Sequence, residues 1–150
     1  EDKKEIATAS GCAHVINSRT EDIAARVADI TGGEGVAAVY DGIGKDVWDA
    51  NVASLRLTGY LVNYGHMSGP LAPIDPLQLN RKSIFFAKVS LPHFMRSPEA
   101  KRAMAADFFQ AIADGHVKLS VSAEYPMADV ARAQDDLVGR KTTGSIVLVP

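Results

Sequence analysis

Cysteine, long apolar runs and an excess of charge of either sign are scarce or absent in this sequence of 150 residues. The single cysteine, Cys12, excludes a disulfide within the chain and favours a reducing compartment, which we expect to be the cytoplasm. No apolar run approaches the roughly 18 to 20 residues that span a bilayer, so we expect no membrane segment. The charges, 16 basic and 18 acidic, leave a net charge of −2, which gives no electrostatic reason to expect nucleic acid as a partner.

Metal ligands and catalytic side chains are also sparse. The four histidines are isolated from one another, and one cysteine cannot build a structural zinc site. We therefore expect no metal site. No side chain forms a convincing general acid or base, so the catalytic residues remain unknown.

Predicted helices and strands alternate along most of the chain. Helices are predicted at 2–10, at 18–33 with Thr20 as the N-cap, at 45–59, and at 97–115 with Ser97 as the N-cap. Strands are predicted at 14–17, 35–41, 60–65 and 83–91. This alternation indicates an α/β fold with a parallel sheet. The strand at 35–41 is apolar nearly throughout, which predicts burial on both of its faces.

The last 35 residues follow a different spacing. Strands at 117–126 and 145–150 flank a helix at 127–140. We therefore expect two parts, an α/β part at 1–115 and a separate C-terminal segment at 116–150.

A short turn with two glycines follows the apolar strand in "GVAAVYDGIGK". Gly42 and Gly44 have the spacing of a dinucleotide-binding loop, but Val47 occupies the position of its third glycine. We therefore favour a tight strand-to-helix turn over a phosphate loop. A second glycine turn, "YGHMSG", follows the next strand. Because ligands bind at the carboxyl ends of parallel strands, the two turns predict the floor of a cleft.

Three stretches taken together resemble a known family: "GCAHVINSRTEDIAARVADITGGEGVAAVYDGIGKDVW", "LRLTGYLVNYGHMSGP" and "YPMADVARAQDDLVGRKTTGSIVLVP". They are similar to the NADPH-dependent, zinc-free quinone oxidoreductases (zeta-crystallin-like) of the medium-chain dehydrogenase/reductase superfamily. The resemblance implies a Rossmann-like, doubly wound parallel sheet that is incomplete at its N-terminal side. The strands present would be the third to sixth of the order 3-2-1-4-5-6, with the glycine-rich phosphate loop upstream and the tail strands returning to a catalytic domain.

The resemblance also implies NADPH as the cofactor and hydride transfer to a quinone or an activated enone. Lys3 matches a lysine that grips the 2′-phosphate of NADPH, although a solvated surface lysine is the alternative. Ser18 replaces the tyrosine that the family commonly carries beside this phosphate, and Arg19 follows it. The turns that border the cofactor and its nicotinamide ribose correspond to Asp41, Gly42, Tyr64, Gly65, His66 and Met67. Two of these have a structural alternative, since Asp41 can cap the next helix and a lone histidine such as His66 is more often structural.

Two further segments complete the implied cofactor site. Ala87, Lys88 and Val89 match a segment whose backbone holds the carboxamide of the nicotinamide, and Arg140 matches an arginine near the cofactor phosphate. The alternatives are an edge strand protected by Lys88 and a helix-end cation. In the family, the edge strand at 83–91 pairs with its copy in a homodimer.

Other functions remain open at this point. An enoyl reductase of the same superfamily, acting on an acyl thioester, would have a similar nucleotide-binding half. A nucleotide-sensing or RNA-binding module and an α/β domain that binds no nucleotide are the non-enzymatic alternatives. The near-neutral charge disfavours RNA binding.

Overall fold

The structure is a computed structural model that describes residues 2–139 and 141–150. The chain divides into two compact units, one formed by His14–Lys101 and the other by Glu1–Ala13 together with Arg102–Pro150. Within the described part, no helix is both long and apolar enough to cross a bilayer.

The His14–Lys101 unit contains a three-stranded sheet and several short helices. In chain order, the elements are α2 (Ile23–Ile30), β1 (Val36–Asp41), α3 (Trp48–Ser54), β2 (Leu55–Asn63), α4 (Pro76–Asn80), β3 (Phe85–Lys88) and α5 (Leu91–Phe94), with a 3₁₀ turn at Lys45–Val47. Helix α1 (Asp2–Ala9) precedes them and helix α6 (Pro98–Ala113) follows them.

The sheet has the order β1-β2-β3, and both pairings are parallel. The predicted α/β architecture with a parallel sheet is therefore confirmed. The registers Asp41↔Asn63 and Asn63↔Lys88 bring the carboxyl ends of all three strands to one edge of the sheet. Strand β1 lies at the edge of this sheet, next to β2 alone.

The core lies on one face of the sheet. Leu55 and Leu61 are fully buried there, and Trp48 packs against this cluster with its ring edge-on to Phe86 at 5.3 Å between centroids. The prediction that 35–41 is buried on both faces is wrong for the described chain, because Tyr40 on the opposite face is 73% exposed. Further exposed residues of the same face are Ala38, Tyr60, Phe85 and Ala87.

The predicted strand at 14–17 is not formed. Neither of the two sheets in the described residues includes these positions, and Asn17 already lies in a turn, with its carbonyl accepting from Thr20 N at 3.0 Å. A strand requires a neighbour to receive its backbone hydrogen bonds, and none of the described strands pairs with this segment. Helix α2 is capped by Asp22, whose side chain accepts from Ala25 N at 2.8 Å, and not by Thr20.

The predicted helix at 45–59 is too long. Helix α3 ends at Ser54, and Leu55 is already extended, with its side chain fully buried in the core. Lys82 fixes this ending, because its Nζ donates to Ala53 O at 2.7 Å and to Leu55 O at 2.6 Å. A cation bound to a carbonyl in the last turn of a helix, here that of Ala53, replaces the hydrogen bond that a further turn would have made.

The other unit carries a strand–helix–strand arrangement at its C-terminal end. Strands β4 (Val121–Pro126) and β5 (Ser145–Val149) pair in parallel, and helix α7 (Val130–Val138) connects them. The predicted strands and helix are confirmed here with shorter bounds.

A small polar network ties this C-terminal arrangement together. The hydroxyl of Tyr125, a buried residue of β4, donates to Asp136 Oδ2 of α7 at 3.0 Å, and Lys141 Nζ donates to Asp136 Oδ1 at 2.8 Å. These two bonds, the Lys141 bond first, lower the pKa of Asp136. The hydrogen bond to Asp136 raises the pKa of both Tyr125 and Lys141.

Candidate functional site

Two glycine turns meet at the carboxyl ends of β1 and β2. The backbone bonds Tyr64 N to Asp41 O at 2.9 Å, Met67 N to Gly42 O at 3.3 Å and Ser68 N to Ile43 O at 2.9 Å join them. The Ser68 hydroxyl adds a second link, since it donates to Ile43 O at 2.9 Å and accepts from Asp46 N at 3.0 Å. The turns therefore form one hydrogen-bonded rim.

The glycines of this rim allow the two backbones to touch. A Cβ on Gly65 would lie 2.5 Å from Gly42 O, which no real side chain tolerates. A Cβ on Gly42 would meet the Tyr64 ring at 3.0 Å. Neither glycine has a positive φ, so close packing is the reason for glycine here. At Gly65 the close contact is with backbone, and at Gly42 it is with a tyrosine ring.

Asp41 holds the backbone of the first turn, the one after β1, through hydrogen bonds to its side chain. Its side chain is 3% exposed, and its Oδ1 accepts from Ile43 N at 2.8 Å and from Gly44 N at 3.1 Å. Its Oδ2 accepts from Asn63 Nδ2 at 2.7 Å. The alternative role for Asp41, capping the next helix, is wrong, because the 3₁₀ turn and α3 that follow begin without a side-chain cap.

A cavity of about 530 Å³ opens beside this rim. It is large enough for a substantial part of an organic ligand. Six predicted cofactor residues line it: Ser18, Asp41, Gly42, Tyr64, Gly65 and Met67. The remaining lining residues are Ile23, Tyr40, Ile43, Val47 and Asn51. The sequence prediction that the two glycine turns form one cleft floor agrees with this geometry.

Several predicted residues lie near this cavity without lining it. Arg19 follows Ser18 and donates its backbone N–H to Asn17 Oδ1 at 3.1 Å, and His66 is an exposed member of the second turn. Ala87 and Lys88 lie at the carboxyl end of β3 and are exposed, while Val89 N donates to Asn63 O at 3.0 Å. Ala87, Lys88 and Val89 therefore lie at the same edge of the sheet as the two turns, at the end of β3, which is next to β2.

Two predicted residues have no described place in this cavity. Lys3 is exposed on α1, which belongs to the other unit of the chain. Arg140 lies outside the described residues. The part of the chain that the structure describes contains no cluster of His, Cys, Asp or Glu able to hold a metal ion.

Two asparagines of the site were missed by the sequence reasoning. Asn51 is buried in α3, where its Nδ2 has no hydrogen-bond partner among the described atoms, and the same holds for Asn63 Oδ1 in β2. A signal for each was present. Asn51 falls on the helix stripe that contains Val47 and Trp48, and Asn63 interrupts an apolar strand next to a turn. A polar side chain in an apolar pattern is a candidate for a special role.

The fold and the site together define a class, an α/β protein with a ligand cavity at the carboxyl edge of a parallel sheet, as in nucleotide-binding domains. Residues 10–148 match the family model described as "Zinc-binding dehydrogenase". The chain belongs to this zinc-binding dehydrogenase family.

Similar proteins agree with this placement. The chain is 39% identical over 153 residues to a 2-haloacrylate reductase of a Burkholderia species, and the match covers 100% of this chain and 46% of that protein. A mycobacterial protein solved with NADPH has a TM-score of 0.90 and 41% identity, covering 99% of this chain and 47% of that one. The quinone oxidoreductase of Escherichia coli, also solved with NADPH, has a TM-score of 0.91 and 34% identity, with the same two coverages of 99% and 47%.

The resemblance to quinone oxidoreductases and the Rossmann-like fold class are therefore confirmed. The chain spans about half the length of the curated relatives it matches.

Proposed function

We propose that the intact protein carrying this sequence is an oxidoreductase that transfers a hydride from NADPH to a quinone or an activated enone. The observation that carries the proposal is the cavity where the turns after β1 and β2 meet, because it gathers six residues of the implied cofactor site. The structures solved with NADPH that the chain resembles support the same cofactor.

The residues of this chain fit a dinucleotide. Gly42 and Gly65 hold the two turns in contact, and both line the cavity with backbone alone, which a flat, polar ligand can approach closely. Asn51 contributes a buried amide nitrogen beside the cavity, and this nitrogen has no hydrogen-bond partner among the described atoms. The Tyr64 ring, 60% exposed, offers an apolar surface to an aromatic group. NADPH, when bound, supplies the hydride, while these residues bind and orient it.

Recognition of the 2′-phosphate forms the second part of the proposal. Ser18 lines the cavity and its hydroxyl can donate to a phosphate oxygen. Arg19 is its exposed neighbour in sequence and provides the guanidinium that suits phosphate binding. Lys3 and Arg140 stay predictions from the resemblance as further cations for this phosphate. His66, Ala87, Lys88 and Val89 are proposed to approach the nicotinamide end.

The acceptor is proposed to be a small conjugated molecule. The related 2-haloacrylate reductase is named for an alkene activated by a carboxylate and a halogen, which supports enones and similar alkenes as well as quinones. An enoyl thioester remains the alternative acceptor.

The oligomeric state, the compartment, the absence of zinc and the division of the chain are further parts of the proposal. Strand β3 is an edge strand of the sheet, which supports a homodimer through 83–91. We propose that the protein is cytoplasmic and acts without zinc, and that the chain divides functionally near residue 115 into a cofactor-binding part and a segment that returns to a catalytic domain.

Steady-state oxidation of NADPH by the intact protein tests this proposal. We expect turnover with 1,4-benzoquinone and little or none with crotonyl thioester. Faster turnover of the thioester would favour the enoyl reductase alternative. Absence of turnover with both acceptors, together with no binding of NADPH, would contradict the proposal.

A further inference from the structure

Asp41 and Asn63 form a buried pair beneath the rim of the cavity. They are the last residues of β1 and β2 and are register partners across the parallel strands. Asp41 is 3% exposed and Asn63 is 0% exposed. The amide of Asn63 donates to one carboxylate oxygen at 2.7 Å, while the other oxygen accepts the two N–H groups of the Ile43–Gly44 turn. The carboxylate therefore connects the second strand to the first turn.

The amide of Asn63 is oriented so that its nitrogen donates to this carboxylate. With Nδ2 directed at Asp41, its Oδ1 is left buried with no hydrogen-bond partner among the described atoms. An unpaired buried acceptor is unfavourable for folding, so the oxygen of this amide gives no reason for an asparagine here. The nitrogen does give one, because a hydrogen bond to a buried, charged acceptor is stronger than a neutral one.

The turn that Asp41 holds contributes directly to the cavity. Gly42 and Ile43 line the cavity. The second turn is attached to the first, because Ser68 and the Tyr64 backbone donate hydrogen bonds to it. A displaced carboxylate would therefore shift both turns, and with them the lining of the cavity.

We propose that Asn63 is a positioning residue for the dinucleotide: by donating to Asp41, it fixes the carboxylate that shapes the Ile43–Gly44 turn and so sets the affinity of the cavity for NADPH. This inference rests on the proposed function. It assigns Asn63 no contact with the reacting atoms.

A reciprocal exchange of the two side chains tests the inference in the intact protein. Asn63→Asp removes the donor and sets two carboxylates against each other, so we expect the KM for NADPH to rise by about tenfold or more with kcat at saturating NADPH unchanged. Adding Asp41→Asn returns one donor and one acceptor to the pair, and leaves a carboxamide oxygen for the turn. We expect this double variant to regain a KM within about threefold of the wild type.

The control carries the same chemical change at a site away from the cavity. Asn80 is exposed at the end of α4, and Asn80→Asp should leave both kinetic constants unchanged. A role confined to stability would lower the active fraction, and therefore kcat, rather than raise KM.

The outcomes distinguish failure of the inference on Asn63 from failure of the proposed function. If the wild type binds NADPH but Asn63→Asp has an unchanged KM, or if the double variant is no better than the single one, the inference on Asn63 is overturned and the proposed function stands. If neither variant folds, as judged by circular dichroism, the pair acts on the whole fold and the inference is likewise overturned. If the wild type does not bind NADPH at all, the proposed function falls as well.

Discussion

At the scale of single residues, the site depends on close contact between backbones. Gly65 and Gly42 touch at the junction of the two turns, and neither adopts a left-handed backbone. Their spacing was visible in the sequence, but their contact was not, because it depends on the register that places two strand ends side by side.

Gly65→Ala tests this contact. The added methyl group would meet the carbonyl of Gly42 at 2.5 Å, and two backbones cannot yield as a side chain can. We expect a loss of about 1–3 kcal/mol in the free energy of unfolding, typical of overpacking. We also expect weaker binding of NADPH by the intact protein, measured by nicotinamide fluorescence.

Gly42→Ala is the matched control. Its methyl group would meet only the ring of Tyr64, which is 60% exposed and can rotate outward. A smaller loss is expected for both quantities. An effect equal to or larger than that of Gly65→Ala would show that backbone contact does not shape the rim.

Lys82 is a second residue with a strong local effect. Its Nζ donates to the carbonyls of Ala53 and Leu55, where α3 passes into β2. Lys82→Met keeps most of the side-chain stem and removes the donor, so we expect the free energy of unfolding to fall by about 1.5–3 kcal/mol. Lys101→Met, at an exposed position of α6, should change it by less than about 0.5 kcal/mol. Urea denaturation measures both, and similar values for the two variants would argue against this role.

At the scale of elements, sequence patterns predicted the features of helices that depend on neighbouring residues in the chain. The cap of α6 at Ser97, which accepts from Ala100 N at 3.2 Å, and its end near Gly115, with φ of +76°, follow from neighbouring residues. The strand predicted at 14–17 failed because a strand depends on a partner. The predicted end of α3 was wrong because the helix end is set by Lys82, which is distant from it in sequence.

The network of Tyr125, Asp136 and Lys141 gives the β4–α7–β5 element a dependence on pH. The pKa of Asp136 is lowered from its ordinary value of 3.8, first by its bond from Lys141. Its contribution to stability is therefore present above that value and is lost as the pH falls through the lower pKa of the folded state. Lys141, whose pKa is raised, contributes below its ordinary value of 10.5 and loses that contribution as the pH rises further.

Asp136→Asn should therefore lower the urea midpoint of the intact protein near neutral pH. The difference from the wild type should shrink as the pH falls below about 3.8, because protonation then removes the carboxylate from both. Asp135→Asn, one residue earlier on the same helix, provides the control and should have a smaller effect. A difference that persists unchanged into acid would mean that the carboxylate charge is not responsible.

At the scale of the whole molecule, the open sheet has consequences for the isolated 150-residue chain. Strand β1 has a free edge, and the face bearing Tyr60 and Phe85 exposes both rings, which stack at 4.8 Å. Exposed strand edges and apolar faces favour association. We expect the isolated chain to associate in analytical ultracentrifugation, and Tyr60→Lys to reduce this. A monomer with full native-like helicity at all concentrations would contradict the expectation.

The candidate site was predictable from the sequence only in part. The turns at Gly42 and Gly65 and the position of Ser18 came from motifs and resemblance, and the cavity brings them together. The Asp41–Asn63 bond and the burial of Asn51 Nδ2 without a partner among the described atoms were not predicted, since each depends on how a side chain packs near the sheet edge.

Hydrogen–deuterium exchange of the intact protein, with and without NADPH, tests the central claim most directly. We predict that NADPH slows exchange most at the amides of the two turns, 41–47 and 64–69, where the backbones line the cavity. Protection by NADH should be weaker at equal concentration. Protection that leaves both turns unchanged while NADPH is bound would contradict the claim that this cavity is the cofactor site.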